Sequence, residues 1–208
     1  GQTISMWIQL TLLVLGFVAL IWSADKFLSG AAATATNMGV SKMMIGLTVV
    51  SIGTSAPEIV VATMAALDGN SLLAVGNAIG SNIANIGLVL GITAIITPLP
   101  FSRNVRRKEL PWLLGATFLA TILMFDRHLG FVDGIILLLG LAYILWQLVA
   151  SQKDPEYSTE AISDELDELP DMTNKQSIIW LVIGLVVLLI SAQVLVYAAT
   201  NIASTLGV

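Results

Sequence analysis

The sequence predicts an all-α integral membrane fold of about six transmembrane helices: one five-helix half of an inverted repeat, followed by the first helix of a second half. Three observations carry that expectation. The chain is 56% hydrophobic and only 11% charged, with a mean hydropathy of +0.89, whereas soluble domains are about one-quarter charged. Apolar runs long enough to cross a bilayer recur from end to end. Gly16 to Val40 also matches Gly184 to Val208 without a gap, with nine of 25 positions identical.

Composition excludes several classes of chemistry. Cysteine is absent, which removes disulfides and thiolate metal sites, and His128 is the single histidine, which removes a multi-histidine metal centre. No cofactor and no nucleic-acid partner are expected. The net charge of −5 is local: eight of the fourteen acidic residues lie between Asp154 and Asp171. The rest of the chain is close to neutral.

The elements follow in order. Helix one is expected from about Ile4 to Trp22, roughly 19 residues and enough for the hydrocarbon core. A signal peptide would want a basic start, yet no Lys or Arg precedes Lys26. After Asp25 and Lys26 a small-residue helix, Ser29 to Thr36, continues towards Gly39. Helix two spans Lys42 to about Leu67 and helix three Leu72 to about Thr97, joined by the tight turn Asp68-Gly69-Asn70. Pro98 and Pro100 end the third helix. A basic stretch follows with Arg103, Arg106, Arg107 and Lys108. Helix four is expected over Leu110 to Phe125 and helix five over about Phe131 to Ala150. Residues 151–176 form an acidic linker, and helix six starts near Ser177. The domain boundaries are therefore 1–150, 151–176 and 177–208. Trp7, Trp22, Trp112, Trp146 and Trp180 lie near helix ends and read as interfacial anchors.

Basic residues set the topology. Eight of nine Lys and Arg fall in the connections after helices one, three and five, with Arg127 alone opposite. The positive-inside rule then puts the N-terminus outside and the acidic linker in the cytoplasm, most simply across the plasma (inner) membrane. The repeat gains meaning from this topology. Five helices separate the starts of its two copies, and an odd number inverts the second copy. Inverted repeats of that kind build many secondary transporters, with the substrate site at mid-membrane where the halves meet.

The candidate site lies in helices two and three. Between Met43 and Leu67 the only charge is Glu58, within Gly53-Thr54-Ser55-Ala56-Pro57-Glu58. A mid-membrane carboxylate costs a few kcal/mol even on lenient scales, so its presence points to function. Pro57 has no N–H to give the Gly53 carbonyl, which frees a hard oxygen. Ser51, Thr54, Ser55 and Glu58 stand at helical spacings of three and four, so their oxygens are expected to share a face. Such a set suits Na⁺ or Ca²⁺ rather than soft metals. The second motif, Gly76-Asn77-Ala78-Ile79-Gly80-Ser81-Asn82-Ile83-Ala84-Asn85, adds Ser81 and Asn85 four apart with Asn82 between them. Its Gly76 and Gly80 are spaced for a close helix crossing.

Together these motifs resemble the first alpha repeat of the cation/Ca²⁺ exchanger superfamily, in its sodium/calcium exchanger branch. The resemblance implies ten helices in two inverted halves, with transported Ca²⁺ and Na⁺ held between two alpha repeats. It implies that Glu58 is the acidic ligand, that Thr54 and Ser55 bind through backbone or hydroxyl oxygen, and that Ser81 and Asn85 contribute from helix three. Ser51 fills a position where the family uses a backbone carbonyl. The Ca²⁺/H⁺ branch places an acid within the second motif, where Gly80-Ser81-Asn82 stands here. The second alpha repeat is not among these 208 residues, so transport is expected of a fuller protein or assembly that supplies the missing half, and these residues alone are expected to be inactive. The alternatives to Na⁺/Ca²⁺ antiport are a Ca²⁺/H⁺ or other cation antiporter, a passive cation pathway, and a non-transporting membrane subunit.

Overall fold

The computed structural model describes residues 2–101, 103, 105–151 and 169–208. Among them every regular element is helical. We number the helices α1 (Gln2–Asn37), α2 (Lys42–Gly53), α3 (Ala56–Leu67), α4 (Ser71–Ile96), α5 (Leu110–Leu123), α6 (Phe131–Ala150) and α7 (Asn174–Leu206). Contacts divide the chain into two units, one of residues 1–97 with 169–208 and one of 98–168. The acidic linker falls mostly on 152–168, outside the described residues.

By length and apolarity α1, α4, α6 and α7 can each cross a membrane, and the bent pair α2–α3 makes a fifth candidate span. The expected count of six then depends on α5, whose 14 residues follow directly on a π-helical turn, Val105–Glu109, rich in basic residues.

The first unit is built on α1 and α7, which lie side by side. Gly16 meets Leu195, Phe27 meets Gly184, and Gly30 meets Leu181, so the two helices run antiparallel. The offset of 168 residues found in the sequence carries Gly16 onto Gly184 and Phe27 onto Leu195, which exchanges the first two of these contacts. The sequence repeat is thus a structural two-fold relating α1 to α7. Four of its nine identities, Gly16/Gly184 among them, are buried in both copies. Leu20 and Leu188, Ser23 and Ser191, and Ala24 and Ala192 are repeat partners, and all six are buried. Each buried hydroxyl is satisfied by its own preceding turn, Ser23 by the Leu20 carbonyl and Ser191 by the Val187 carbonyl. Small residues let the backbones close up, which is how helices associate where lipid competes on equal terms for apolar side chains.

One expectation needs correction. The chain does not break after Trp22; α1 runs on unbroken to Asn37. Asp25 and Lys26 are not helix breakers, and Lys26 finds support within the pair, its Nζ 5.3 Å from the Trp180 ring of α7 and 4.0 Å from Asp25 Oδ2. Trp22 packs edge-on against the same ring. The Asn37 amide closes that end with a 3.0 Å bond to the Met172 carbonyl, and Thr173 and Gln176 form a reciprocal cap for α7.

Against this pair lie α2 and α3, bent 41° at Thr54–Ser55. Ser41 caps α2, whose middle widens into a π-helical turn at Gly46–Val50. Ala56, Val61 and Ala65 of α3 join Leu20, Leu188 and Leu195 in the core. α4 folds back on α3 after a turn in which Gly69 takes φ +77°, a conformation glycine adopts without strain. The turn is tied to α7 by Gln193 donating to Asp68 and Asn70 to Thr200, at 3.0 and 3.1 Å. A second π-helical turn, Asn85–Leu90, interrupts α4 just past its motif.

The second unit pairs α5 with α6. Trp112 near the start of α5 meets Tyr143 near the end of α6, while Leu119 meets Gly140, so this pair is also antiparallel. Asp133 Oδ2 accepts the Gly130 N–H at 2.8 Å and caps the entry to α6.

Candidate cation site

The helix break positions Glu58. Pro57 falls in the first turn of α3, where a missing N–H costs nothing, and its presence there leaves the Gly53 carbonyl at the end of α2 with no partner one turn on. Gly53 itself is buried against Leu28 of α1. The result restarts the helix with Glu58 in its first turn, where the helix dipole favours negative charge.

Glu58 opens on a cavity of about 400 Å³ walled by α1, α3, α4 and α7. Phe17 and Leu20 supply one wall, Leu195 another, and Pro57, Glu58 and Val61 a third. The α4 wall is Gly76, Asn77, Gly80, Ser81 and Ala84, a single helical face at spacings of one, three and four. Most of the enclosure is apolar, and Glu58 is the one acid in it. Glu58 Oε2 is buried and has no hydrogen-bond partner. Leaving a carboxylate oxygen buried and unpaired costs free energy.

Of the residues expected to bind, the structure brings Glu58 and Ser81 to this cavity. Ser51, Thr54, Ser55, Asn82 and Asn85 are exposed and are not among its wall residues. Three of these side chains turn to the local backbone instead. The Ser51 hydroxyl bonds the Gly46 carbonyl across the π-helical turn, Thr54 bonds Ser51, and the Asn82 amide bonds Ala78. The shared face expected for Ser51, Thr54, Ser55 and Glu58 assumed continuous helix through the break, and the 41° bend removes that register. The Ser81 hydroxyl meanwhile donates to Ala78, which leaves its oxygen lone pairs available.

Asn77 was quoted in the motif but not among the expected ligands. It lines the cavity, and its amide donates to the Glu58 main-chain carbonyl at 3.0 Å, which straps α4 to the turn that carries the carboxylate. Its place four residues before Ser81 is the signal that puts both on one face. Gly76 and Gly80 likewise do something other than the close crossing their spacing suggested. A Cβ at either would meet nothing within 4 Å, so they serve here as open cavity wall.

Among the described residues no three His, Cys, Asp or Glu side chains converge on a point. What the cavity offers a hard cation is one carboxylate, one hydroxyl and an amide, a set of oxygen ligands with room for more.

The sequence profile described as sodium/calcium exchanger protein matches residues 8–150. The chain belongs to the sodium/calcium exchanger family. That family consists of membrane transporters rather than enzymes, and its ions are cargo, with no cofactor. Within it the chain is 42% identical to CaxA of Alkalimonas amylolytica over 195 residues, which is 93% of this chain and 61% of that protein. It is 35% identical to the sodium/calcium exchanger MaX1 of Methanosarcina acetivorans over 120 residues, 58% of this chain and 34% of that one. The solved sodium/calcium exchanger from Methanococcus jannaschii superposes with a TM-score of 0.53 at 31% identity, covering 98% of this chain and 63% of that structure. The chain thus spans about three-fifths of the length of CaxA and of the jannaschii exchanger.

Proposed function

We propose that the chain forms the first ion-binding half of a cation antiporter that exchanges Ca²⁺ for Na⁺ across the membrane. The observation that supports this reading is Glu58 itself, which lines a cavity together with Ser81 and Asn77 and whose Oε2 is buried without a partner. A cation entering there removes the cost of the unpaired carboxylate, and hydroxyl or carbonyl oxygens replace part of its hydration. Ser51, Thr54, Ser55, Asn82 and Asn85 join as ligands once the open side of the hairpin is covered. The N-terminus faces outside and the basic connections face the cytoplasm, in keeping with the one-sided distribution of Lys and Arg.

One carboxylate does not balance a divalent ion, and a second cavity suggests where the balance comes from. The walls contributed to the Glu58 cavity by the α1–α7 pair are Phe17, Leu20 and Leu195. Their repeat partners, Leu185, Leu188 and Phe27, all line another cavity of about 390 Å³. The frame therefore offers the same seat twice, related by its two-fold. The first seat holds the α3–α4 hairpin, and the second is the place for an inverted hairpin with its own acid, supplied by the rest of the transporter.

The test is coupling. In proteoliposomes of the complete transporter, Ca²⁺ flux should require Na⁺ on the opposite side. Ca²⁺ flux with choline as the sole monovalent cation on both sides would mean a pore, and flux driven by a proton gradient alone would move the assignment to Ca²⁺/H⁺ exchange.

A further inference from the structure

The second unit contains features that lie outside the lining of the Glu58 cavity. Between α5 and α6 lies a cavity of about 390 Å³ lined by apolar groups, with Trp112 and Tyr143 at one end and Leu119 and Leu137 at the other. On α5 its wall runs from Trp112 to Leu119, roughly 10 Å of helix. Two glycines keep it open. A Cβ on Gly115 would meet nothing within 4 Å, and one on Gly140 only the tip of Leu119 at 3.7 Å.

The wider surroundings of this cavity are not apolar. Just beyond Trp112, the chain from Arg103 to Glu109 carries four basic residues against one acid, and Arg103, Arg106 and Arg107 are exposed. Trp112, Tyr143 and Trp146 stack in sequence at this same end, with ring centroids 5.6 and 6.0 Å apart. Tyr143 also accepts a bond from Gln147 at 3.2 Å. Clustered Trp and Tyr mark the headgroup level of a bilayer. Arg106 and Arg107 lie in a π-helical turn, Val105–Glu109, that runs directly into α5, so they sit one to two turns from Trp112 on the same helix.

We propose that an anionic phospholipid seats in this groove, with one acyl chain lying against Gly115 and Gly140 and its phosphate at the Arg106–Arg107 turn. Apolar fit alone would accept any lipid tail. The positive turn at the mouth selects the anionic headgroup, since each interfacial basic residue favours an anionic lipid, and the aromatic cluster fixes the headgroup depth.

The test uses the full chain in nanodiscs doped with phosphatidylglycerol or phosphatidylcholine bearing brominated acyl chains, reading the quenching of Trp112. That component is isolated by difference from Trp112→Phe. Brominated phosphatidylglycerol should quench at roughly thirtyfold lower mole fraction than brominated phosphatidylcholine, a preference of the size two arginines supply. The double variant Arg106→Gln/Arg107→Gln should bring the two lipids to within about twofold of each other while quenching persists. Gly140→Leu should abolish quenching by both lipids; Gly115→Leu replaces it if helical circular dichroism or monodisperse elution is lost. Equal quenching by the two lipids in the unmodified chain would overturn the proposal. So would a preference that survives the double variant, or one erased by inorganic phosphate but not by sodium chloride of equal ionic strength, which would mean an anion site without a lipid.

Discussion

Adding a single methyl group to the α1–α7 seam should distinguish glycines that the sequence alone treats alike. Gly30 is the tightest point: a Cβ there would collide with the Leu181 backbone nitrogen and lie 2.7 Å from the Ser177 carbonyl oxygen. At Gly184 the Cβ would run into the Phe27 backbone, with Cα at 2.7 Å. Neither obstacle is a side-chain tip that can rotate away, so the helices must separate. Overpacking of this kind costs up to about 3 kcal/mol. Alanine recovers about 1 kcal/mol of helix propensity over glycine. The net loss is about 2 kcal/mol, or roughly 4–8 °C in Tm for a chain of this size. At Gly16, the repeat partner of Gly184, the nearest atom is Leu195 Cδ1 at 3.4 Å, and propensity should leave Gly16→Ala at or slightly above the parent. Thermal unfolding followed by tryptophan emission in one detergent compares all three. If Gly30→Ala and Gly184→Ala melt with or above the parent protein, the close antiparallel seam described here is wrong.

Two further outcomes follow from the site. Asn77→Ala removes the strap from α4 to the Glu58 carbonyl; it should cost only about 1 kcal/mol of stability but raise the Ca²⁺ concentration needed for half-maximal exchange, and unchanged Ca²⁺ dependence would reduce Asn77 to a structural bond. These 208 residues expressed alone should bind cations weakly and exchange none, because one carboxylate reaches the cavity and ion affinity follows ligand charge. Co-expression with a chain carrying the second half should restore exchange, and robust Na⁺-dependent Ca²⁺ uptake by the purified 208 residues would refute that reading.

Much of the frame was legible because its signals are local or repetitive. Four of the nine identities between Gly16–Val40 and Gly184–Val208 are buried in both copies, on the seam where backbone proximity restricts residue size. Pro57 marked the helix break because its chemistry forbids one specific bond. Asp25 and Lys26 misled, since a charged pair normally closes a transmembrane helix; their accommodation depends on Trp180, more than 150 residues away in sequence. The site was harder to read. Helical spacing put Ser51, Thr54 and Ser55 on the face of Glu58, but spacing holds only within continuous helix, and the bend lies between them. The cavity itself needs Phe17, Leu20 and Leu195, ordinary apolar residues whose role depends on how α1 and α7 cross.

The central claim is that the unpaired Glu58 carboxylate is the acidic cation ligand of this half. Glu58→Gln keeps the shape of the side chain and removes only its charge, so folding should be preserved while the ion loses its counter-charge. The decisive measurement is Na⁺-gradient-driven ⁴⁵Ca²⁺ uptake into proteoliposomes of the complete transporter, at matched folded yield. Uptake by Glu58→Gln should fall to the level of protein-free vesicles; uptake equal to that of the parent would contradict the assignment.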